Sequence, residues 1–215
     1  VIKVQDGCDR FCSYCIIPYA RGRVRSRKID SVVAEAKEIA KKGIKEIVIT
    51  GIHLASYGKD FREGITLINL LEELNQVEGI ERIRLGSLEP TLMNQDFISR
   101  LVKLDKICDH FHLSLQSGCD ETLERMNRKY NIEEFKKGTK LLRQAFPDVS
   151  LTTDIIVGFP GETDEEFEKT YQALKEIDFY KMHIFKYSKR KGTKAAVMPN
   201  QVDGNIAEQR SRRLI

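Results

Sequence analysis

The chain has no apolar run approaching the roughly 20 residues that a membrane-spanning helix requires. No charged leader, apolar core and small-residue cleavage site opens it either; Val1 leads straight into "VIKVQDGC". No Walker-type phosphate loop is present, and no Ser-His-Asp or Cys-His arrangement is credible for hydrolysis. Membrane spanning, secretion, P-loop chemistry and triad hydrolysis are therefore not the expectation; a cytoplasmic protein without membrane contact is. An initial Met is also lacking and the chain ends in "AEQRSRRLI", so it reads as a piece of something longer. With no secretory signal, the odd count of five cysteines argues for reduced thiols rather than a disulfide framework.

What is present suits a globular protein: 215 residues, 41% hydrophobic and 32% charged, with a formal net charge of +4. The positive charge is clustered. Arg21, Arg23, Arg25, Arg27 and Lys28 lie early, Lys186, Lys189, Arg190, Lys191 and Lys194 late, and Arg210, Arg212 and Arg213 close the chain. Such clusters fit phosphate contacts or a plain solvated face.

Short β-type runs alternate with helical segments, the signature of repeated βα units on a parallel sheet. Strands are predicted at "VIKVQ", "EIVIT", "RIRLGS", "HFHLSLQS", "SLTTDIIVGF" and "KMHIFKY". Asp30 is the predicted N-cap of the first helix and Gly43 its C′ residue. Asn131 with Glu134 and Thr163 with Glu166 have capping-box spacing, and a last helix is predicted near Asp203. No linker interrupts the pattern, so residues 1–215 read as one domain. Six units are too few for a closed eight-stranded barrel. The expected α/β fold is an open, partial (β/α)6 TIM-like barrel, with a doubly wound sheet as the other option. Either places ligands at the carboxyl ends of the strands. The cysteines, Thr50-Gly51, Ser87-Glu89, Gln116, Gly158 and Tyr187-Ser188 all fall there.

Cys8, Cys12 and Cys15 stand at C-x3-C-x2-C spacing, a thiolate set suited to zinc or an iron–sulfur cluster. No fourth Cys or His closes the site locally; the next His is His53, one βα unit away. Three cysteines on a four-iron cluster leave one iron open. Cys108 and Cys119 read as ordinary small buried residues.

"CDRFCSYC" after a first strand closely resembles the radical S-adenosylmethionine (SAM) superfamily, and a radical SAM-type partial barrel is what that implies. "CSYCIIPYARGRVRSR", "HLSLQSG", "TDIIVGFPGET" and "YSKRKGT" resemble its methylthiotransferase family. "TGIHLASYGKD", "RLGSLEP" and "RMNRKY" resemble the tRNA threonylcarbamoyladenosine branch. The resemblance covers essentially all of the chain. It also implies an N-terminal domain with a second [4Fe-4S] cluster and a C-terminal RNA-binding TRAM domain, neither within this sequence.

The resemblance further implies that Cys8, Cys12 and Cys15 ligate a [4Fe-4S] cluster whose fourth iron binds SAM. Reductive cleavage then yields a 5′-deoxyadenosyl radical, so a reducing electron donor is needed. The expected substrate is N6-threonylcarbamoyladenosine beside the anticodon of ANN-decoding tRNA, converted to its 2-methylthio derivative. Isopentenyladenosine tRNA or a ribosomal protein aspartate are the alternatives, and this chain alone is expected not to complete turnover. An electron carrier and a zinc-stabilised RNA-binding module are the remaining rivals.

By resemblance, Tyr14 is an aromatic neighbour of the cluster, while Thr50 and Gly51 meet the methionine ammonium or form a plain turn. Gln116 meets the ribose or is a satisfied buried amide. Arg128 clamps the SAM carboxylate or complements a helix end. Asp154, Ser87 and Glu89 are pocket residues on the cofactor or nucleoside side. Gly158 with Phe185 and Tyr187 lies beside the adenine or packs in the core. His53 touches substrate or caps a turn. Arg21, Arg23, Arg25 and Arg27, alternating in an extended segment, face tRNA phosphates or the neighbouring domain.

Overall fold

A computed structural model describes residues 1–215. In chain order the elements are β1 (Ile2–Asp6), α1 (Ile17–Arg21), β2 (Arg25–Ser26), α2 (Ile29–Lys41), β3 (Glu46–Gly51), α3 (Leu67–Asn75) and β4 (Arg82–Leu85). The second half adds α4 (Gln95–Leu101), β5 (His110–His112), α5 (Asp120–Arg125), α6 (Ile132–Ala145), β6 (Ser150–Val157), α7 (Asp164–Ile177), β7 (Lys181–Lys186) and α8 (Gly204–Leu214). No helix is long and apolar enough to cross a membrane.

The strands hydrogen-bond in two groups, β2-β1-β3-β4 and β5-β6-β7. Main-chain bonds from Ile83 N to Lys106 O and from Leu88 N to His112 O carry the curve from one group to the next. Every ladder is parallel except β1 with β2. The parallel strands β1, β3, β4, β5, β6 and β7 therefore stand in sequence order. A doubly wound sheet reverses that order at a switch point, so the partial barrel is the architecture. β7 does not pair with β1, and the barrel stays open.

Side chains alternate across each strand. Ile47, Ile49, Ile83, Leu85, Phe111, Leu151, Ile155 and Val157 are buried against the helices, in one core with Leu70, Leu71, Leu74 and Phe135. Each such side chain contributes about 1.5–3 kcal/mol. The alternate positions, among them Thr50, Arg84, His110, His112, Asp154, His183 and Phe185, are half-buried or exposed because they face an unclosed interior.

Both predicted capping boxes form. The N–H of Glu134 donates to Asn131 Oδ1 at 2.8 Å, and that of Glu166 to Thr163 Oγ1 at 3.2 Å. Four expectations need correction. Lys28, not Asp30, is the N-cap of α2; Asp30 lies in the first turn, where its charge complements the helix dipole. β4 stops at Leu85 rather than Ser87. β5 spans three residues instead of the eight of "HFHLSLQS", because beyond His112 Leu115 N donates to the Thr153 hydroxyl instead of a main-chain carbonyl and only isolated bridges remain. The arginine run is not one extended segment. Arg21 ends α1, Gly22 turns the chain, and only Arg25 and Ser26 pair with β1.

Candidate functional site

Everything at the strand ends depends on one turn after β1. Gly7 has φ +71°, and a Cβ there would lie 1.9 Å from Arg23 O, so only glycine fits. Cys8 N donates to Gly22 O at 3.1 Å. The loop is then fastened to the segment after α5. Ser13 N donates to Met126 O at 3.0 Å, Ser13 Oγ to Arg125 O at 2.8 Å, and Asn127 Nδ2 to Phe11 O at 2.8 Å. Phe11 and Asn127 both hold positive φ, 51° and 58°, a strain that these bonds hold in place.

Two sulfurs receive N–H groups: Arg10 N reaches Cys8 Sγ at 3.4 Å, and Arg128 Nη1 reaches Cys12 Sγ at 3.3 Å. Burial pushes the Cys8 and Cys15 thiols up, which disfavours the thiolates that ligate iron or zinc unless a cation stands beside them. His112, Asp154 and His183 form a trio whose ligand atoms all lie within 4.8 Å of one another.

Glu89 is the hub behind the cysteines. His53 Nε2 lies 2.7 Å from Glu89 Oε2, Arg10 pairs with the same oxygen, and Arg128 Nη2 approaches Oε1 at 3.9 Å. Burial alone would raise this carboxyl. The His53 hydrogen bond and the Arg128 and Arg10 charges outweigh it and hold the group at about 2. An ionised carboxylate only accepts, so His53 Nε2 carries a proton, and Nδ1 faces Ser56 Oγ at 2.7 Å. His53 thus bridges the β3 and β4 loops.

Arg128 is turned toward the cysteine loop: beyond Cys12 it donates to Ser114 O (3.2 Å) and, through Nε, to Tyr130 Oη (2.9 Å). Gly51 backs onto Gln5, whose Oε1 would lie 2.9 Å from an added Cβ, and Gly158 (φ +71°) receives Ala207 of α8, 2.6 Å from an added Cβ. Both glycines thus have a packing reason independent of any ligand. Thr50 is half-buried at the end of β3, and Ser87 is exposed.

A cleft of about 270 Å³ gathers Tyr14, Gln116, Asp154, Phe185, Tyr187 and Arg190. Tyr14 and Tyr187 both pack edge-on against Phe159, and the Tyr187 hydroxyl is buried without a partner. Phe185 is 53% exposed, an open aromatic face. A larger hollow of about 710 Å³ around Asp30, Phe61 and Arg62 holds none of these residues. Cys119 is buried, its thiol donating to Glu121 Oε2 at 2.9 Å; Cys108 is half-buried.

The arginines divide. Arg27 is committed to Glu35 (2.6 Å) on α2, and Arg23 approaches Asp9 at 3.4 Å. Arg21 and Arg25 both sit 3.8 Å from Asp6. Arg21, Arg23 and Arg25 remain exposed.

Sequence reasoning missed Gln5, Arg10, Ser13, Asn127 and Tyr130. Gln5 is fully buried; its amide donates to Asp6 O and Gly7 O, and its oxygen accepts from His53 N at 2.7 Å. A glutamine in an apolar strand is the same signal that singled out Gln116. The others carried none.

The family model "Radical SAM superfamily" matches residues 2–174. A relative from Caldicellulosiruptor saccharolyticus, tRNA-2-methylthio-N(6)-dimethylallyladenosine synthase, is 46% identical over 214 residues, and one of the same name from Thermoanaerobacter sp. is 48% identical. The threonylcarbamoyladenosine tRNA methylthiotransferase MtaB of Bacillus subtilis is 46% identical over 215 residues. Each match takes in 100% of this chain, which spans 45–48% of these relatives' length. Among solved structures, the radical SAM methyltransferase TsrM from Kitasatospora setae superposes with TM-score 0.75 at 22% identity, covering 91% of this chain and 38% of that one. Coproporphyrinogen III oxidase from Escherichia coli superposes with TM-score 0.64 at 16% identity, covering 99% and 49%. Motif, strand order and family model agree: this chain belongs to the radical SAM superfamily.

Proposed function

We propose that the chain is the catalytic portion of a cytoplasmic tRNA methylthiotransferase acting on N6-threonylcarbamoyladenosine beside the anticodon. The enzyme class is supported by identity of 46–48% along the whole chain to relatives named for tRNA methylthiolation. Cys8, Cys12 and Cys15 would hold a [4Fe-4S] cluster, with SAM bound beside it. When bound, these groups supply one-electron cleavage of the sulfonium bond. The chain's own residues position them. The Gly7 turn and the Ser13 and Asn127 bonds set the cysteine loop, Arg128 places a cation at Cys12, and Tyr14, Gln116, Tyr187 and Phe185 offer the cleft where cofactor and purine meet.

One observation carries the choice of substrate. Asp154 lines the cleft and has His112 and His183 within 4.8 Å, a polar and ionisable surface. A threonylcarbamoyl group brings a carboxylate, a hydroxyl and amides that can pair with such groups. A dimethylallyl group is hydrocarbon only and would strip water from them without replacing its hydrogen bonds. The dimethylallyl substrate is the second reading, and the names of the Caldicellulosiruptor and Thermoanaerobacter relatives favour it.

Mass spectrometry of tRNA nucleosides from a strain lacking the gene separates the two. Loss of 2-methylthio-threonylcarbamoyladenosine alone supports the first reading, and loss of the 2-methylthio-isopentenyl nucleoside overturns it. Iron and sulfide in anaerobically reconstituted chain, with and without Cys8, Cys12 and Cys15 replaced by Ala, test the cluster. Retention of iron by the triple variant removes the assignment.

A further inference from the structure

Inside the barrel, three adjacent strands bring together side chains that the cysteine trio does not use. His112 of β5 stands in register with Thr152 of β6, and Asp154 of β6 with His183 of β7. Their ligand atoms lie within 4.8 Å of one another. Asp154 Oδ2 is 3.2 Å from His112 Nε2, and the two imidazole rings are 6.0 Å apart at 44°. Thr152 Oγ1 lies 3.0 Å from His112 Nδ1. It occupies the far nitrogen and leaves Nε2 to the centre of the trio, as the outer partner of a metal-bound histidine does.

Two imidazoles and one carboxylate suit borderline divalent ions of the zinc class better than magnesium or calcium, which prefer oxygen. Three protein ligands also leave a fourth position. Asp154 lines the cleft, so that position opens where a substrate oxygen arrives.

We propose that His112, Asp154 and His183 form a mononuclear site for a divalent transition metal, distinct from the cysteine trio and open toward the cleft. The same side chains face the substrate in the reading above, and the proposal rests on that reading in that the ion's open position would meet the threonylcarbamoyl oxygens.

The test is zinc and cobalt titration of the 215-residue chain with Cys8, Cys12 and Cys15 changed to Ser, read by competition with a chromophoric chelator. One equivalent of zinc is expected, with a cobalt spectrum free of thiolate charge-transfer bands. Asp154→Asn and His183→Gln each weaken zinc by at least about 100-fold, and Thr152→Val by about 10-fold to 100-fold. His183 is exposed, so its substitution does not endanger folding. In the chain with its cysteines intact, His183→Gln lowers bound zinc by one equivalent relative to the unsubstituted chain, which decides the matter should the serine variant not fold. No stoichiometric zinc, or unchanged affinity in Asp154→Asn and His183→Gln with native circular dichroism, overturns the proposal.

Discussion

The two halves of the open barrel treat their inner, strand-end faces in opposite ways. In the β1–β3–β4 half, Gln5, Arg10, His53 and Glu89 satisfy one another through hydrogen bonds that cross from loop to loop. In the β5–β6–β7 half, His183 and Phe185 stand exposed and the Tyr187 hydroxyl has no partner. The outer faces do not differ: both halves are packed by helices into one core. One half is built to hold a loop still. The other leaves an imidazole, an aromatic face and one unpartnered hydroxyl at the open cleft, the mix of apolar walls and few polar groups that small-molecule sites share.

Substitutions can break this division. The largest effect belongs to Glu89→Ala. It strands Arg10, Arg128 and His53 around a vacated carboxylate site and should cost about 3–5 kcal/mol in urea denaturation, with loss of iron retention by the cysteine loop. Next comes pH. The Glu89 carboxyl, ordinarily near 4.5, is held at about 2 in the fold. Its stabilisation is therefore complete above pH 4.5 and drains as pH falls toward 2, by about 3 kcal/mol in all. Denaturation midpoints across that window should slope for the native chain and flatten for Glu89→Gln.

Gly7→Ala follows, at more than about 2 kcal/mol, since positive φ and contact with Arg23 O act together. Smallest in stability is Phe185→Ala, within about 0.5 kcal/mol because the ring is half in solvent. In the full-length protein the same change should weaken binding of a modified anticodon stem-loop by about 1–3 kcal/mol, read by fluorescence anisotropy. If Phe185→Ala unfolds the chain as Glu89→Ala does, the contrast between the halves is wrong.

Local features were legible beforehand. The capping boxes at Asn131 and Thr163 need only three residues of spacing, and the strands announce themselves by β-branched runs. Contacts across long separations were not. His53 and Glu89 are 36 positions apart, and Arg128 and Cys12 are 116 apart. Nothing near either residue of those pairs names its partner. Gly51 and Gly158 show the same limit in reverse. Their ligand-facing roles came from resemblance, while their close neighbours are Gln5 and Ala207. The β5 boundary failed because the Thr153 hydroxyl, 38 positions from Leu115, takes its N–H out of the ladder, a contact that propensity does not encode.

Composition and spacing by themselves determined that this is an α/β chain with a three-thiolate site after its first strand, because period and motif are local properties. Tertiary structure alone decided that Glu89 is the ionised anchor behind that site. It also decided that His112, Asp154 and His183 meet inside the barrel. Distances between side chains on different strands exist only once the sheet has curved.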